Sequence, residues 1–238
     1  MNKTGGRVLA CSDIHGRLDT FQKLQAFLKP EDKVYFLGDA ADRGSNGWEI
    51  IKEILKDDRF VYIKGNHEDL LVQAAREFWK YDEMTGRAYD LLVYNGGYET
   101  FNSMIFDEWS KNWIDMLDKL PLMETYVNKD EKAIILSHAG CSPTLYDNEL
   151  WIECDDHDLI WNRTHFSDEW TCGDNVIVVH GHTPIPHLVE RLAKSPWTQL
   201  PGPFWYCDGH KVCIDNATFQ NGRLYLLDLD TLDHHIIN

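Results

Sequence analysis

The 238-residue chain carries 23 Lys plus Arg against 39 Asp plus Glu, a formal charge of −16 that argues against a nucleic-acid-binding face. A hydrophobic fraction of 43%, with 12% aromatic and 26% charged residues, excludes collagen-like, disordered and disulfide-scaffold classes. No apolar run approaches the roughly 20 residues of a membrane span, and the start lacks the apolar core of a signal peptide, so a cytoplasmic protein is expected. The length suits one α/β domain over residues 1–238.

Arg7 to Ser12 reads as a short buried strand, and Leu18 to Leu28 as a helix that stops before Pro30. Lys33 to Leu37 is a second strand, Trp48 to Leu55 a second helix, and Phe60 to Ile63 a third strand. This alternation predicts a parallel sheet with crossover helices, and each strand ends in a polar cluster where open α/β sheets place their ligands. Glu68 to about Leu120 is mainly helical, broken at Asn95-Gly96-Gly97, and reads as an inserted helical cap over about 69–120.

Beyond the cap, Leu122 to Val127, Lys132 to Ser137, Val176 to Val179, Val212 to Asp215 and Arg223 to Asp228 read as strands of an antiparallel or mixed sheet. Asn221-Gly222 reads as a hairpin turn. Trp48, Trp79 and Trp113 lie in helical patterns and are assigned to the core. Trp197, Phe204 and Trp205, in a Pro-rich loop, divide evenly between a substrate rim and packing. The acidic runs Asp155 to Asp158 and Asp228 to Asp233 are read as solvated faces. Six cysteines without a C-x-x-C pair read as reduced thiols, since Cys154, Cys172, Cys207 and Cys213 have the wrong spacing for a zinc knot.

The chemistry lies in five clusters: Asp13-Ile14-His15-Gly16, Gly38 to Gly44, Gly65-Asn66-His67-Glu68, Ser137-His138-Ala139-Gly140 and His180-Gly181-His182-Thr183-Pro184. Singly each could be a turn or a helix cap. Together they supply carboxylates, imidazoles and an amide oxygen, donors suited to Mn²⁺, Fe or Zn²⁺ in a hydrolytic centre. The set resembles the calcineurin-like metallophosphoesterases, and within them the phosphoprotein phosphatases, whose D-x-H-G, G-D-x-x-D-R-G, G-N-H-E and H-A/G-G motifs stand here in order. The resemblance sharpens toward the small bacterial and lambda-phage-type serine/threonine protein phosphatases through Asn95-Gly96-Gly97, Leu159 to Arg163, Gly181 to Pro184 and Ile214 to Ala217. Two departures are Ala41, where Val is usual, and His180, where an apolar residue is common.

The resemblance implies an α/β (α+β) fold, a central two-sheet mixed β-sandwich flanked by helices. It also implies two divalent metal ions, with Mn²⁺ expected first and Fe or Zn²⁺ as alternatives. Asp13, His15 and Asp39 would hold one, and Asp39, Asn66, His138 and His182 the other, with Asp39 as the bridge. His180 is read as a supporting residue, in preference to a ligand. His67 and Asp42 would form the general-acid pair. Arg43 and Arg163 would bind the phosphate, although Arg163 could instead pair with the acidic residues at Asp155 to Asp158.

The implied activity is hydrolysis of phosphoserine and phosphothreonine in proteins, with phosphotyrosine as an extension, by direct attack of a metal-bridging hydroxide. The partner would be a phosphoprotein or phosphopeptide, met by a monomer that binds neither nucleic acid nor membrane. A symmetrical dinucleoside tetraphosphatase is the alternative, but that group lacks the equivalent of Asp42 and has Asp where Glu68 stands. A phosphodiesterase of this fold would use Gly-His-x-His, and Pro184 occupies the final position. A catalytically silent metal-binding module would have lost a ligand or the acid, and none is missing.

Overall fold

Burial on both faces of single strands sets the architecture. In β1 (Val8–Cys11), Val8 and Ala10 belong to one apolar cluster and Leu9 and Cys11 to another, as a strand covered on both sides requires. The structure, a computed structural model, describes residues 5–146, 149–152, 154–193 and 200–238. After β1 come α1 (Leu18–Phe27), β2 (Lys33–Phe36), α2 (Gly47–Lys56) and β3 (Phe60–Tyr62), with the strands paired in parallel as expected. Phe21 and Leu24 on α1, and Trp48, Ile51 and Ile54 on α2, recur every three to four residues and face the sheet.

The helical stretch between β3 and the next strand forms α3 (Asn66–Tyr81), α4 (Arg87–Tyr94), α5 (Tyr98–Ile105) and α6 (Ser110–Asp118). The break at residues 95–97 is where the sequence puts it. A further break follows Asp82, which has a left-handed backbone (φ 54°) that ends α3, and another lies between Ile105 and Ser110. The chain continues through β4 (Met123–Val127), β5 (Ala133–Ser137), β6 (Thr144–Tyr146), β7 (Glu149–Trp151), α7 (Asp156–Trp161) and β8 (Val176–His180). It ends with α8 (Ile185–Ala193), β9 (Phe204–Tyr206), β10 (Lys211–Cys213), α9 (Thr218–Asn221), β11 (Leu224–Asp228) and β12 (His234–Ile237).

Among the described residues two five-stranded sheets form, in the orders β12-β11-β1-β2-β3 and β4-β5-β8-β10-β9, with β6-β7 as a separate pair. Both sheets are mixed. β1 runs parallel to β2 and antiparallel to β11, and β5 runs antiparallel to β4 and parallel to β8. Ala10, Leu37 and Ile63 from one side meet Ile134, Leu136, Ile177, Val179 and Val212 from the other in a common core. This is the mixed sandwich flanked by helices that the resemblance implies. No helix among the described residues is long and apolar enough to cross a membrane.

Several local expectations are corrected. Asn221-Gly222 is not a hairpin turn: β10 and β11 lie in different sheets, and Gly222, with φ 70°, terminates α9 between them. The run Asp228 to Asp233 is not a uniformly solvated face. Asp228 Oδ1 accepts from the Asp230 and Thr231 N–H groups, and buried Asp230 accepts from Tyr126 Oη at 2.7 Å, so the acids shape the β11–β12 turn. Helix α8 escapes the sequence reading because two prolines flag a loop, yet Pro186 sits in the first turn, where a missing N–H costs nothing.

Trp48 is buried, and Trp79 and Trp113 are partly buried against the same cluster. Phe204 and Trp205 are partly buried on β9 and pack on apolar clusters, while Trp197 lies outside the described residues. The cysteines are free, and no zinc knot forms: Cys154 and Cys172 pack in one apolar cluster, Cys207 and Cys213 in another.

Candidate metal centre

The residues singled out in sequence converge where β1, β2, β5 and β8 end and α3 begins. They come together because the loops after β1 and β2 are laced to each other. Asp13 N–H donates to the Gly38 carbonyl (3.0 Å), His15 N–H to Asp39 (3.0 Å) and Gly16 N–H to Ala40 (2.9 Å). This lacing demands unusual backbone. Of the twelve non-glycine residues with positive φ among the described residues, six belong to the site: Asp13, His15, Asp39, Asp42, Arg43 and His182. Such conformations are costly for L-residues and persist only where surrounding bonds fix them.

Glu68 supplies most of that fixation. Its two carboxylate oxygens accept from the N–H groups of Asp39 (2.8 Å), Gly65 (2.9 Å), Ala40 (2.9 Å) and Ala41 (3.2 Å). The next turn is gripped from α5 and the turn before it: Asp42 N–H donates to Thr100 Oγ1 (2.9 Å) and Arg43 N–H to the Gly96 carbonyl (2.9 Å). Two glycines permit close approach. A Cβ on Gly65 would lie 2.3 Å from Asp39 Oδ1, and one on Gly181 would lie 2.0 Å from Asp13 Oδ2.

Two close-packed triads share Asp39, one with His15 and His67, the other with His138 and His182. His138 Nδ1 donates to the Leu37 carbonyl (2.6 Å), so Nε2 presents a lone pair 2.9 Å from Asn66 Oδ1, itself an acceptor. His182 Nδ1 lies 2.9 Å from Asn66 Oδ1 and 3.1 Å from His138 Nε2. Asp39 Oδ1 is 3.4 Å from His138 Nε2. Donor atoms at a common distance of roughly 2.1 Å from a cation, set at right angles, stand about 3 Å apart. The donor set of Asp39, Asn66, His138 and His182 therefore fits one divalent ion.

On the other side of Asp39, His15 Nδ1 donates to the Ala41 carbonyl (2.9 Å), leaving Nε2 3.6 Å from Asp39 Oδ2 and 3.9 Å from Asp13 Oδ1. The Asp13 carboxylate also accepts from the His182 N–H at 3.0 Å, which ties the first and last clusters together. These donors suit a second ion. The unusual Ala41 is harmless here because its carbonyl and N–H, not its side chain, do the bonding.

The electrostatics agree with a cation-binding role. Burial would raise the Asp39 carboxyl, but the imidazoles of His138, His67 and His15 hold it well below the carboxylate range. Asp13 is pushed well up, first by burial and then by the negative charges of Asp215 and Asp39. His15 and His182 are held well below the usual imidazole value, chiefly by burial, and so keep the lone pairs that a metal needs. Asp215 is a third buried carboxyl at this site, which the sequence motif contained without a role; burial pushes it up to about 7.

His67 Nδ1 lies 2.7 Å from Asp42 Oδ2, both side chains being buried, and His67 Nε2 faces Asp39 Oδ2 at 3.8 Å and Arg43 Nη2 at 3.2 Å. Burial lowers the His67 imidazole, but Asp39 and Asp42 outweigh it and raise it above its ordinary value. Arg163 Nε lies 3.0 Å from His182 Nε2, so its guanidinium points into the cluster and is not paired with the acids of Asp155 to Asp158. His180 lies behind the ligands, with Nε2 2.8 Å from Tyr206 Oη. Sequence reasoning missed the loop-fixing role of Glu68 and the exposed rings of Tyr94 and Tyr98, which flank the Asn95-Gly96-Gly97 turn that holds Arg43; Tyr94 is 87% exposed. Tyr94 ends α4 and Tyr98 begins α5, so the signal is their position on either side of the Gly-Gly break.

Residues 6–213 match the calcineurin-like phosphoesterase family, and the chain belongs to it. That class comprises dinuclear-metal phosphoesterases, in agreement with the clustered His and Asp side chains. The chain is 25% identical to the serine/threonine-protein phosphatase C23G10.1 of Caenorhabditis elegans, across 94% of this chain and 47% of that protein. It is 28% identical to a symmetrical bis(5'-nucleosyl)-tetraphosphatase of Buchnera aphidicola, across 56% of this chain and 43% of that protein. The chain thus spans about half the length of these curated relatives. Its fold is similar to that of a serine/threonine phosphatase from Saccharomyces cerevisiae, with TM-score 0.60, 16% identity and coverage of 98% and 79%. A metallophosphoesterase from Sphaerobacter thermophilus is also similar, with TM-score 0.58, 15% identity and coverage of 98% and 88%.

Proposed function

We propose that this chain is a metal-dependent phosphomonoesterase acting on phosphoserine and phosphothreonine in proteins, with phosphotyrosine as an extension. The observation that carries the reading is the buried 2.7 Å contact of His67 with Asp42, set beside Arg43 and the Asp39 carboxylate. Asp13, His15 and Asp39 would hold one divalent cation, and Asp39, Asn66, His138 and His182 a second, with Mn²⁺ the expected ion and Fe or Zn²⁺ able to use the same donors. When bound, such a pair supplies charge neutralisation for the phosphate oxygens and a water acidified toward neutral pH.

The chain's own residues do the rest. Arg43 and Arg163 offer planar forks of donors to phosphate oxygens. Asp42 orients His67 through Nδ1 and stabilises its protonated form, so that Nε2 can deliver a proton to the departing serine or threonine oxygen. An alkoxide is a poor leaving group, and this proton is what a phosphoprotein substrate demands. The similarity to the C. elegans serine/threonine phosphatase along 94% of this chain supports the same reading.

A second reading, symmetrical dinucleoside tetraphosphate hydrolysis, is favoured by the 28% identity to the B. aphidicola enzyme over 139 residues. The Asp42–His67 pair and Glu68 weigh against it. Phosphate release from phosphoserine and phosphothreonine peptides by chelator-treated protein, before and after Mn²⁺ is returned, tests the proposal. Release only after Mn²⁺ supports it, and no release in either state refutes it.

A further inference from the structure

Arg163 is exposed, yet the turn that carries it is tied from two directions. From α8, Arg191 Nη1 donates to the Arg163 carbonyl at 2.7 Å, while its guanidinium lies 5.6 Å from the centre of the Phe166 ring. From β10, Lys211 Nζ donates to the His165 carbonyl at 2.8 Å and stands 3.4 Å from His165 Nδ1. His165 Nε2 in turn donates to the carbonyl of Ala139, the residue after His138, at 2.7 Å. One short turn thereby joins Arg163 to the loop after β5 that carries His138.

Lys211 is the unusual member. It is 1% exposed, and its ammonium reaches the Asp168 carboxylate through a hydroxyl: Nζ donates to Ser142 Oγ (3.1 Å), which donates to Asp168 Oδ2 (2.5 Å). Burying an ammonium is costly, and an apolar side chain of similar length would fill the same space at less cost. What the ammonium adds is a fixed bond to the His165 carbonyl.

We propose that Arg191 and Lys211 are positioning residues that clamp the Arg163–His165 turn, and so set the place of the Arg163 guanidinium against His182 and the bound phosphate. Neither touches the substrate. The inference rests on the reading of Arg163 as a phosphate-binding residue.

The test is a double-mutant cycle on Mn²⁺-loaded protein, reading inorganic phosphate affinity by titration calorimetry together with KM and kcat for an aryl phosphate. Arg163→Ala weakens phosphate about tenfold or more, as loss of a charge-assisted contact does. Arg191→Met weakens it about three- to tenfold with an unchanged melting temperature, because its side chain lies at the surface, and Arg191→Lys restores much of the loss. In the Arg163→Ala background, Arg191→Met adds nothing. Ser142→Ala, which loosens Lys211 without removing its charge, shows the same non-additivity.

Full additivity of Arg191→Met and Arg163→Ala overturns the clamp. If Arg163→Ala weakens phosphate and Arg191→Met does not, the clamp alone fails. If Arg163→Ala leaves phosphate affinity unchanged, the phosphate-binding reading of Arg163 fails, and the clamp with it.

Discussion

Asp42 Oδ2 and His67 Nδ1 are 2.7 Å apart in a site where both side chains are at most 1% exposed, and no other contact bears so directly on the chemistry. A carboxylate on one edge of an imidazole fixes which nitrogen faces the reacting group. His67→Asn is therefore expected to keep the metals and lose about 10²- to 10⁴-fold in turnover of serine and threonine phosphates. Aryl phosphates, whose leaving groups need no proton, lose much less. Measuring kcat on both substrate types decides the matter, since equal losses would remove His67 from the acid role.

Glu68 accepts four backbone N–H groups. Glu68→Gln keeps the shape but turns one acceptor into a donor aimed at amides. The expected result is a stability loss of about 2–3 kcal/mol and a large fall in metal affinity, because Asp39 stands on the loop so held. Denaturant unfolding and metal analysis of the purified variant check this. A variant as stable and as metal-rich as the parent would mean that the loop holds itself.

Gly181→Ala would place a Cβ 2.0 Å from Asp13 Oδ2. Asp13 must then move, and weaker metal retention with an intact fold is the expected outcome, about tenfold or more. Circular dichroism together with equilibrium dialysis against Mn²⁺ reports both quantities. Unaltered metal affinity would remove Asp13 from the ligand set.

His165 is held at about 2, first by burial and then by the neighbouring His180 and Lys211, against an ordinary value of 6.5. Above pH 6.5 the ring is neutral whether the chain is folded or not, and no stability is at stake. As pH falls below 6.5 the unfolded chain takes up a proton that the folded chain refuses, so stability declines by up to about 1.4 kcal/mol per pH unit. Unfolding free energies between pH 6.5 and 4.5 should show a slope about one proton smaller in His165→Phe than in the parent. Identical slopes would show that His165 is not held neutral.

The sequence made the site more legible than the fold around it. Asp13, Asp39 and Asn66 end or follow strands whose apolar runs are short and sharply bounded, so the β-α-β units and their polar ends could be read together. Glu68 was visible only as a motif letter, because its bonds run to backbone atoms that no side-chain pattern encodes. Glu68 to about Leu120 reads as mainly helical, but Asp82 ends α3 through its backbone conformation, which composition does not record. Asn221-Gly222 suits a hairpin and a helix end equally, and only the assignment of β10 and β11 to different sheets separates the two. His180, Lys211 and His165 form a polar layer assembled from separate strands and turns, which a linear reading does not bring together.

The most direct test of substrate class is a side-by-side turnover measurement on Mn²⁺-restored protein, with a phosphothreonine peptide, diadenosine tetraphosphate and a phosphodiester at matched concentrations. A kcat/KM for the peptide well above the other two is the predicted result. Preference for the dinucleotide or the diester would contradict it, and would leave the Asp39-centred metal site standing with a different substrate.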